Sequence, residues 1–333
     1  MYEISPQALE IFQSSIVWDA HSGFMPDVRA DLNNLRLWKN AGVNYLSIDV
    51  GFDLLPWDRT VANLEAFRRW VLDHADEYVI VGAVQEVQQA KRDGRLAITF
   101  DIEGMNALNG RLDMIEFYYR LGVRQILLAY NRDNLAGGGC HGSDDRLTDF
   151  GREAITEMNR LGMFVDLSHC GFRTSMQAME HSSAPVIFSH SNAKSLRSHG
   201  RNITDEQIRA CAETGGIVGA VGLSAFLCDG ESATVRDLVD HVDYLIQVAG
   251  PKHVGVGLDY AFPVETVGID EMIEGNPQYW PVQEGYGKTP VHFLPPEDLI
   301  GLTQGLIERG HESQVIRGVL GENFLSLAER VWH

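Results

Sequence analysis

The chain has 333 residues, 44% of them hydrophobic, and a formal net charge of −19. That length suffices for one large α/β domain with its own core, while so acidic a surface repels nucleic-acid phosphates and anionic membranes and argues against both as partners. No run approaches the ~18 apolar residues of a membrane span, and the opening MYEISPQALEIFQSS lacks the basic segment and apolar stretch of a signal peptide.

Short β-branched runs recur along the chain. Strands are expected at 16–20, 44–50, 96–102, 124–129, 163–168, 185–189, 216–221 and 254–259. They are nearly continuous apolar runs, as parallel strands buried on both faces require. Helical patterns lie between them. Residues 60–92 read as two helices around a short extended piece, YVIVG. Thr148 to Leu161 reads as a helix capped by Thr148 and ended by Gly162, and Thr204 to Thr214 as another, stopped by Gly215-Gly216. Eight strands alternating with helices favour a (β/α)8 TIM barrel of the metal-dependent hydrolase type, as a single domain over residues 1–333. An open doubly wound sheet is the competing architecture, but no GxGxxG follows the first strand. Residues 260–295, rich in Pro, Gly and aromatics, read as a long loop over the C-terminal face. The four cysteines, Cys140, Cys170, Cys211 and Cys228, show no CxxC spacing, so free thiols in a reducing, cytoplasmic compartment are expected.

Polar residues collect where strands end. Asp19 and His21 close the first strand, Asp101 and Glu103 the third, Tyr130 and Asn131 the fourth, Asp166 and His169 the fifth, His190 the sixth and Asp259 the last. In a barrel these ends converge on one mouth. A single histidine there would be read as an ordinary hydrogen-bonded residue, as His141, His181 and His199 are. His21, Glu103, His169 and His190 form a set, and imidazole with carboxylate points to a divalent metal, Zn²⁺ first. Such an ion lowers the pKa of bound water, and Asp259 could handle the proton. Asp166 suits a role behind the ligands. A thiol beside His169, such as Cys170, could be a ligand or nucleophile, although small-residue packing explains it as well.

The segments DIEG (101–104), LTDFGREAITEMNRLGMFVDLSHCG (147–171), PVIFSHSNAKSL (185–196), RNITDE (201–206), VGVGLD (254–259) and GENFLSLAERVW (321–332) together resemble the membrane (renal) dipeptidase family of zinc peptidases. The stretch 147–206 is the specific part. The resemblance implies a (β/α)8 barrel holding two zinc ions, with Glu103 bridging them and His169 and His190 completing one metal position. It further implies that Asp259 is the acid/base carboxylate, that Arg201 grips the substrate's terminal carboxylate, and that a homodimer is to be expected. Tyr130 and Asn131 are expected to line the substrate pocket.

Two positions depart from that pattern. The family's His-x-Asp reads His21-Ser22-Gly23 here, so the second metal position lacks a ligand unless water or Asp19 completes it. Tyr130 stands where the family usually has a histidine; it can donate a hydrogen bond but carries no positive charge. The expected activity is metal-dependent hydrolysis of a dipeptide or dipeptide-like amide, with one or two zinc ions. A mononuclear amidohydrolase acting on another small metabolite, and a catalytically impaired homologue that binds a small ligand, stay open beside it.

Overall fold

The computed structural model describes residues 2–22, 26–143, 146–230, 232–261, 269–286 and 291–332. Nine parallel strands form one sheet: β1 (Trp18–Ser22), β2 (Tyr45–Phe52), β3 (Tyr78–Ile80), β4 (Leu96–Glu103), β5 (Val123–Leu127), β6 (Phe164–Asp166), β7 (Ile187–Phe188), β8 (Ile217–Ala220) and β9 (Val254–Val256). The staves run β1-β2-β4-β5-β6-β7-β8-β9. The ends approach closely, with Asp259 N donating to His21 O at 3.0 Å and Leu258 N to Asp19 Oδ1 at 2.8 Å. The result is a nearly closed barrel of eight parallel strands, the (β/α)8 architecture.

The eight expected strands are all present, shifted by a few residues at their ends. The extended piece YVIVG forms β3, which adds no stave. It pairs with the first half of β4 on the edge that β5 takes over further along: Val81 N donates to Ile98 O, and two residues on Phe100 N donates to Gly122 O. The helix Asp149–Leu161 starts under Thr148, whose Oγ1 accepts from Gly151 N at 3.1 Å, and stops at Gly162 in the left-handed region. Thr204 and Gln207 cap the helix Asp205–Glu213 reciprocally. Among the described residues no helix is long and apolar enough to cross a membrane.

The barrel interior is graded. Its lower end is filled by Trp18, stacked on Tyr45, with Phe164, Ile187 and Ile217 from the starts of later strands. The final helix, Asn323–Val331, closes this end: Phe324 stacks on Trp18, and Trp332 packs on Phe164. One layer up, the lining turns polar with Ser47, Thr99 and Gln125, all buried. Above them come Asp49, Asp101, His21 and Glu103. With the base plugged, the chemistry-bearing residues lie toward the C-terminal mouth.

The segment 260–295, expected as a loop, carries a helix, Ile269–Gly275, within its described part. Trp280 and Tyr286 join Phe52, Tyr130, Val221 and Phe226 in a small apolar cluster beside the mouth. Residues 262–268 and 287–290 lie outside the described residues.

Candidate active site

Each strand delivers its ligand by a local device. In β1 the pairing with β2 slips between Asp19 and Ser22, a bulge that redirects the side chains past it. Asp19 binds Trp38 Nε1 at 2.7 Å and Leu258 N at 2.8 Å, so both of its oxygens are committed to the frame. His21 turns into the mouth, where its Nδ1 lies 3.0 Å from Asp101 Oδ1. Gly23 lies outside the described residues. Glu103 ends β4, and Gly104 after it has φ +114°, where a Cβ would lie 2.2 Å from the Asp53 carboxyl carbon. Only glycine fits, and the space is used: Asp53 accepts from Asn106 N (2.9 Å), Tyr130 N (3.0 Å) and Asn134 Nδ2 (2.8 Å). One buried carboxylate thereby ties the loops after β2, β4 and β5 together.

His169 has φ +63° and Asn131 φ +56°. Asn131 is fully buried; its Nδ2 donates to Tyr279 O at 3.0 Å, which leaves Oδ1 facing His169 Nδ1 at 2.7 Å. That arrangement puts the His169 proton on Nδ1 and the lone pair on Nε2. His190 Nδ1 is hydrogen-bonded to Ser189 Oγ at 2.6 Å. Asp166 accepts from Ser168 N (3.0 Å) and Ser189 N (3.1 Å), so it shapes the turns that carry both histidines. Asp259, at φ +57°, brings Oδ1 to 3.6 Å from His21 Nε2. Among the described residues four non-glycine residues have positive φ, and three of them, Asn131, His169 and Asp259, are in this mouth.

The Nε2 atoms of His169 and His190 face each other at 2.9 Å, and both lie 3.3 Å from Glu103 Oε1. Burial pushes both imidazoles well below their ordinary pKa, so both rings are neutral and each carries a single N–H. Both Nε2 atoms and the carboxylate oxygen thus converge on one small buried space. His21 Nε2 is 3.5 Å from the same oxygen. Among the described residues His21 Nε2 and Glu103 Oε1 are buried without a hydrogen-bond partner. Ligand atoms of His21, Glu103 and His190 all lie within 4.8 Å of one another. A divalent cation satisfies every one of these groups, and borderline imidazole with hard carboxylate fits a zinc-like ion. The four expected metal residues are thus brought together.

The other expected residues fall around them. Tyr130 stacks on His169 with ring centroids 4.2 Å apart. Burial, with Glu103 and Asp259 nearby, pushes its phenol well up, so it stays a neutral donor. Burial also raises Asp259. Arg201 is 2% exposed; its Nη1 donates to Ser191 Oγ (3.0 Å) and its Nη2 to His190 O (2.6 Å), while Nε has no partner among the described residues. A cavity of about 440 Å³ is lined by Arg201, His169, Cys140 and His199 among others. Burial pushes the Cys140 and Cys170 thiols up to about 12, which removes them as nucleophiles. Asn131 has both ends of its amide engaged, and it meets the site through His169. Asp49 and Asp53 were not singled out from the sequence; a lone carboxylate inside the apolar run YLSIDVGF was the available signal.

The sequence matches the family model of the membrane dipeptidases, peptidase family M19, over residues 7–274. The chain belongs to the membrane dipeptidase family. An uncharacterised dipeptidase of Schizosaccharomyces pombe is 36% identical over 238 residues, which are 69% of this chain and 57% of that protein. The match thus spans little more than half the length of that curated relative. Among solved structures, an amidohydrolase from Pseudomonas aeruginosa is 27% identical, with a TM-score of 0.86 over 98% of this chain and 99% of its own. A metallopeptidase from Rhodobacter sphaeroides, solved with a phosphinate mimic of the dipeptide L-Ala-D-Ala, shares the fold at 21% identity, with a TM-score of 0.77 over 96% of this chain and 100% of its own.

Proposed function

We propose that this chain is a metal-dependent peptidase that hydrolyses a dipeptide or a dipeptide-like amide. The convergence of the His21, His169 and His190 Nε2 atoms on Glu103 Oε1 carries the reading, since three buried imidazole nitrogens around one carboxylate oxygen match the ligand set of a divalent cation. His21, Glu103, His169 and His190 would hold zinc, which supplies Lewis-acid polarisation of the scissile carbonyl and a water acidic enough to react near neutral pH. Asp259 takes the proton of the attacking water and returns it to the leaving amine; its raised pKa suits both transfers. Tyr130, neutral and beside His169, donates a hydrogen bond toward the carbonyl oxygen. Arg201 fixes the substrate's terminal carboxylate, its guanidinium being held by Ser191 and the His190 carbonyl. The four unpaired cysteines fit a cytoplasmic setting.

The Rhodobacter relative's ligand makes dipeptides with a D-residue at the second position natural members of the test panel. Metal-loaded protein is incubated with L,L- and L,D-dipeptides, their C-terminal amides and N-acyl amino acids, and the released amine is measured. Turnover of free-carboxylate dipeptides, lost in Glu103→Gln, is expected. Turnover of N-acyl amino acids alone would favour the mononuclear amidohydrolase reading, and no turnover of any amide would refute the peptidase.

A further inference from the structure

The barrel mouth holds one carboxylate more than its hydrogen bonds explain. Asp49 lies on β2, which pairs with β1 along one edge and with β4 along the other. Its register partner on β4 is Asp101. Two residues earlier, Ser47 points into the barrel and donates its Oγ to Asp101 Oδ2 at 2.5 Å. By the two-residue period of a strand, Asp49 faces the same interior. It therefore enters the mouth between His21 of β1 and Glu103 of β4.

Asp49 is 1% exposed. Its carboxylate accepts one hydrogen bond among the described residues, from Gly51 N to Oδ1 at 2.9 Å, and forms no ion pair with an arginine or lysine. Burying a carboxylate without a cation costs several kcal/mol. Its neighbours make the cost worse, because Asp101, Glu103 and Asp259 bear on the same space. Among the described residues His21 Nε2 and Glu103 Oε1 are left without a hydrogen-bond partner, and both residues lie close enough to interact electrostatically with Asp49. Asp19, on the same strand as His21, is excluded by its bonds to Trp38 and Leu258, and Asp101 is held by His21 Nδ1 and Ser47 Oγ.

We propose that Asp49 is a metal ligand which, with His21 and Glu103, holds a second divalent cation in place of the carboxylate that Gly23 cannot supply. The proposal rests on the metal-dependent reading above and deepens it. Glu103 is then shared between the two ions, and two dications offset the four carboxylates of the mouth.

The test is zinc per chain, by elemental analysis and by calorimetric titration of chelator-stripped protein, on the wild type, Asp49→Asn and the double variant Asp49→Asn/Gly23→Asp. The expected counts are two, one and two. In Asp49→Asn the second binding step weakens by at least about a hundredfold while the first is unchanged. Cobalt-loaded wild type should show spin coupling between adjacent ions, and Asp49→Asn should not. If Asp49→Asn fails to fold, Asp49→Ser, which matches the neighbouring Ser47, replaces it. A wild type that binds one ion, or a folded Asp49 variant that keeps two, overturns the proposal. Dipeptide turnover by a one-zinc wild type would overturn this assignment alone; a two-zinc wild type without amide turnover would overturn the peptidase and leave Asp49 standing.

Discussion

Replacing Asn131 with glycine tests whether the metal ligands depend on the residues behind them. Asn131 does two things at once. Its backbone sits at φ +56°, and its Oδ1 fixes the His169 proton on Nδ1 at 2.7 Å. Alanine would remove the acceptor and also strain the backbone by roughly 1–2 kcal/mol. Glycine accepts the backbone without strain, so Asn131→Gly tests the side chain alone, removing the acceptor for His169 together with the donor to Tyr279 O. Loss of a partner behind a metal-bound histidine weakens metal binding by about 10–100-fold, or ~1.4–2.7 kcal/mol. The upper half of that range is expected here, because His169 is buried and its Nδ1 bonds to the Asn131 amide at 2.7 Å. Zinc affinity is read by competition with a chromophoric chelator, and the His169 tautomer by ¹⁵N NMR of the metal-free protein. Affinity within twofold of wild type, with the proton still on Nδ1, would refute the reasoning. Asn131→Asp is the control: it keeps an acceptor and tolerates positive φ, and should lose less.

Gly104→Ala should destabilise the fold by at least ~2 kcal/mol, because the added Cβ meets Asp53 and frees the three groups it holds; an unchanged Tm would contradict this. Asp53 itself has its carboxyl raised by burial from 3.8 to about 6. The folded state thus binds this proton more tightly than the unfolded chain, so the contribution is favourable at low pH and is lost as pH rises toward and past 6, a swing of order 3 kcal/mol. Denaturant unfolding of wild type and Asp53→Asn at several pH values should show a stability difference that changes across that window, and a constant difference would refute it. Arg201→Lys should raise KM for a free-carboxylate dipeptide by roughly tenfold or more, since an ammonium cannot reproduce the bidentate fork. Equal turnover of a dipeptide and its C-terminal amide by the wild type would show that Arg201 does not read that carboxylate.

The staves were legible because each is a short, nearly unbroken apolar run, and parallel strands buried on both faces have no other pattern. Their order followed from the alternation with helices. The extended piece at 78–80 was visible as a segment, but its place beside the lower half of β4 depends on where β5 begins to pair, which no local pattern encodes. His21, Glu103, His169 and His190 stood out as polar punctuation at strand ends. What holds them did not. Asp53 reaches its three partners across 53, 77 and 81 residues of sequence. The pairing of Asn131 with His169 needs positive φ at both residues, and nothing in YNRDN or LSHCG announces it. Asn131 read as pocket lining or as loop and turn chemistry; in the fold its amide bonds Tyr279 O and His169 Nδ1. Asp49 was hidden by its own strand, since one acidic residue in an apolar run looks like a chain end or an accident until the neighbouring strands are known.

The most direct measurement is amide hydrolysis by chelator-stripped protein as zinc is returned stoichiometrically. Activity on a free-carboxylate dipeptide should be absent at the start, rise with bound zinc, and fail to return in Glu103→Gln at any zinc concentration. Hydrolysis that persists in the stripped protein, or zinc that binds without any amide being cleaved, would contradict a metal-dependent peptidase built on Glu103, His169 and His190.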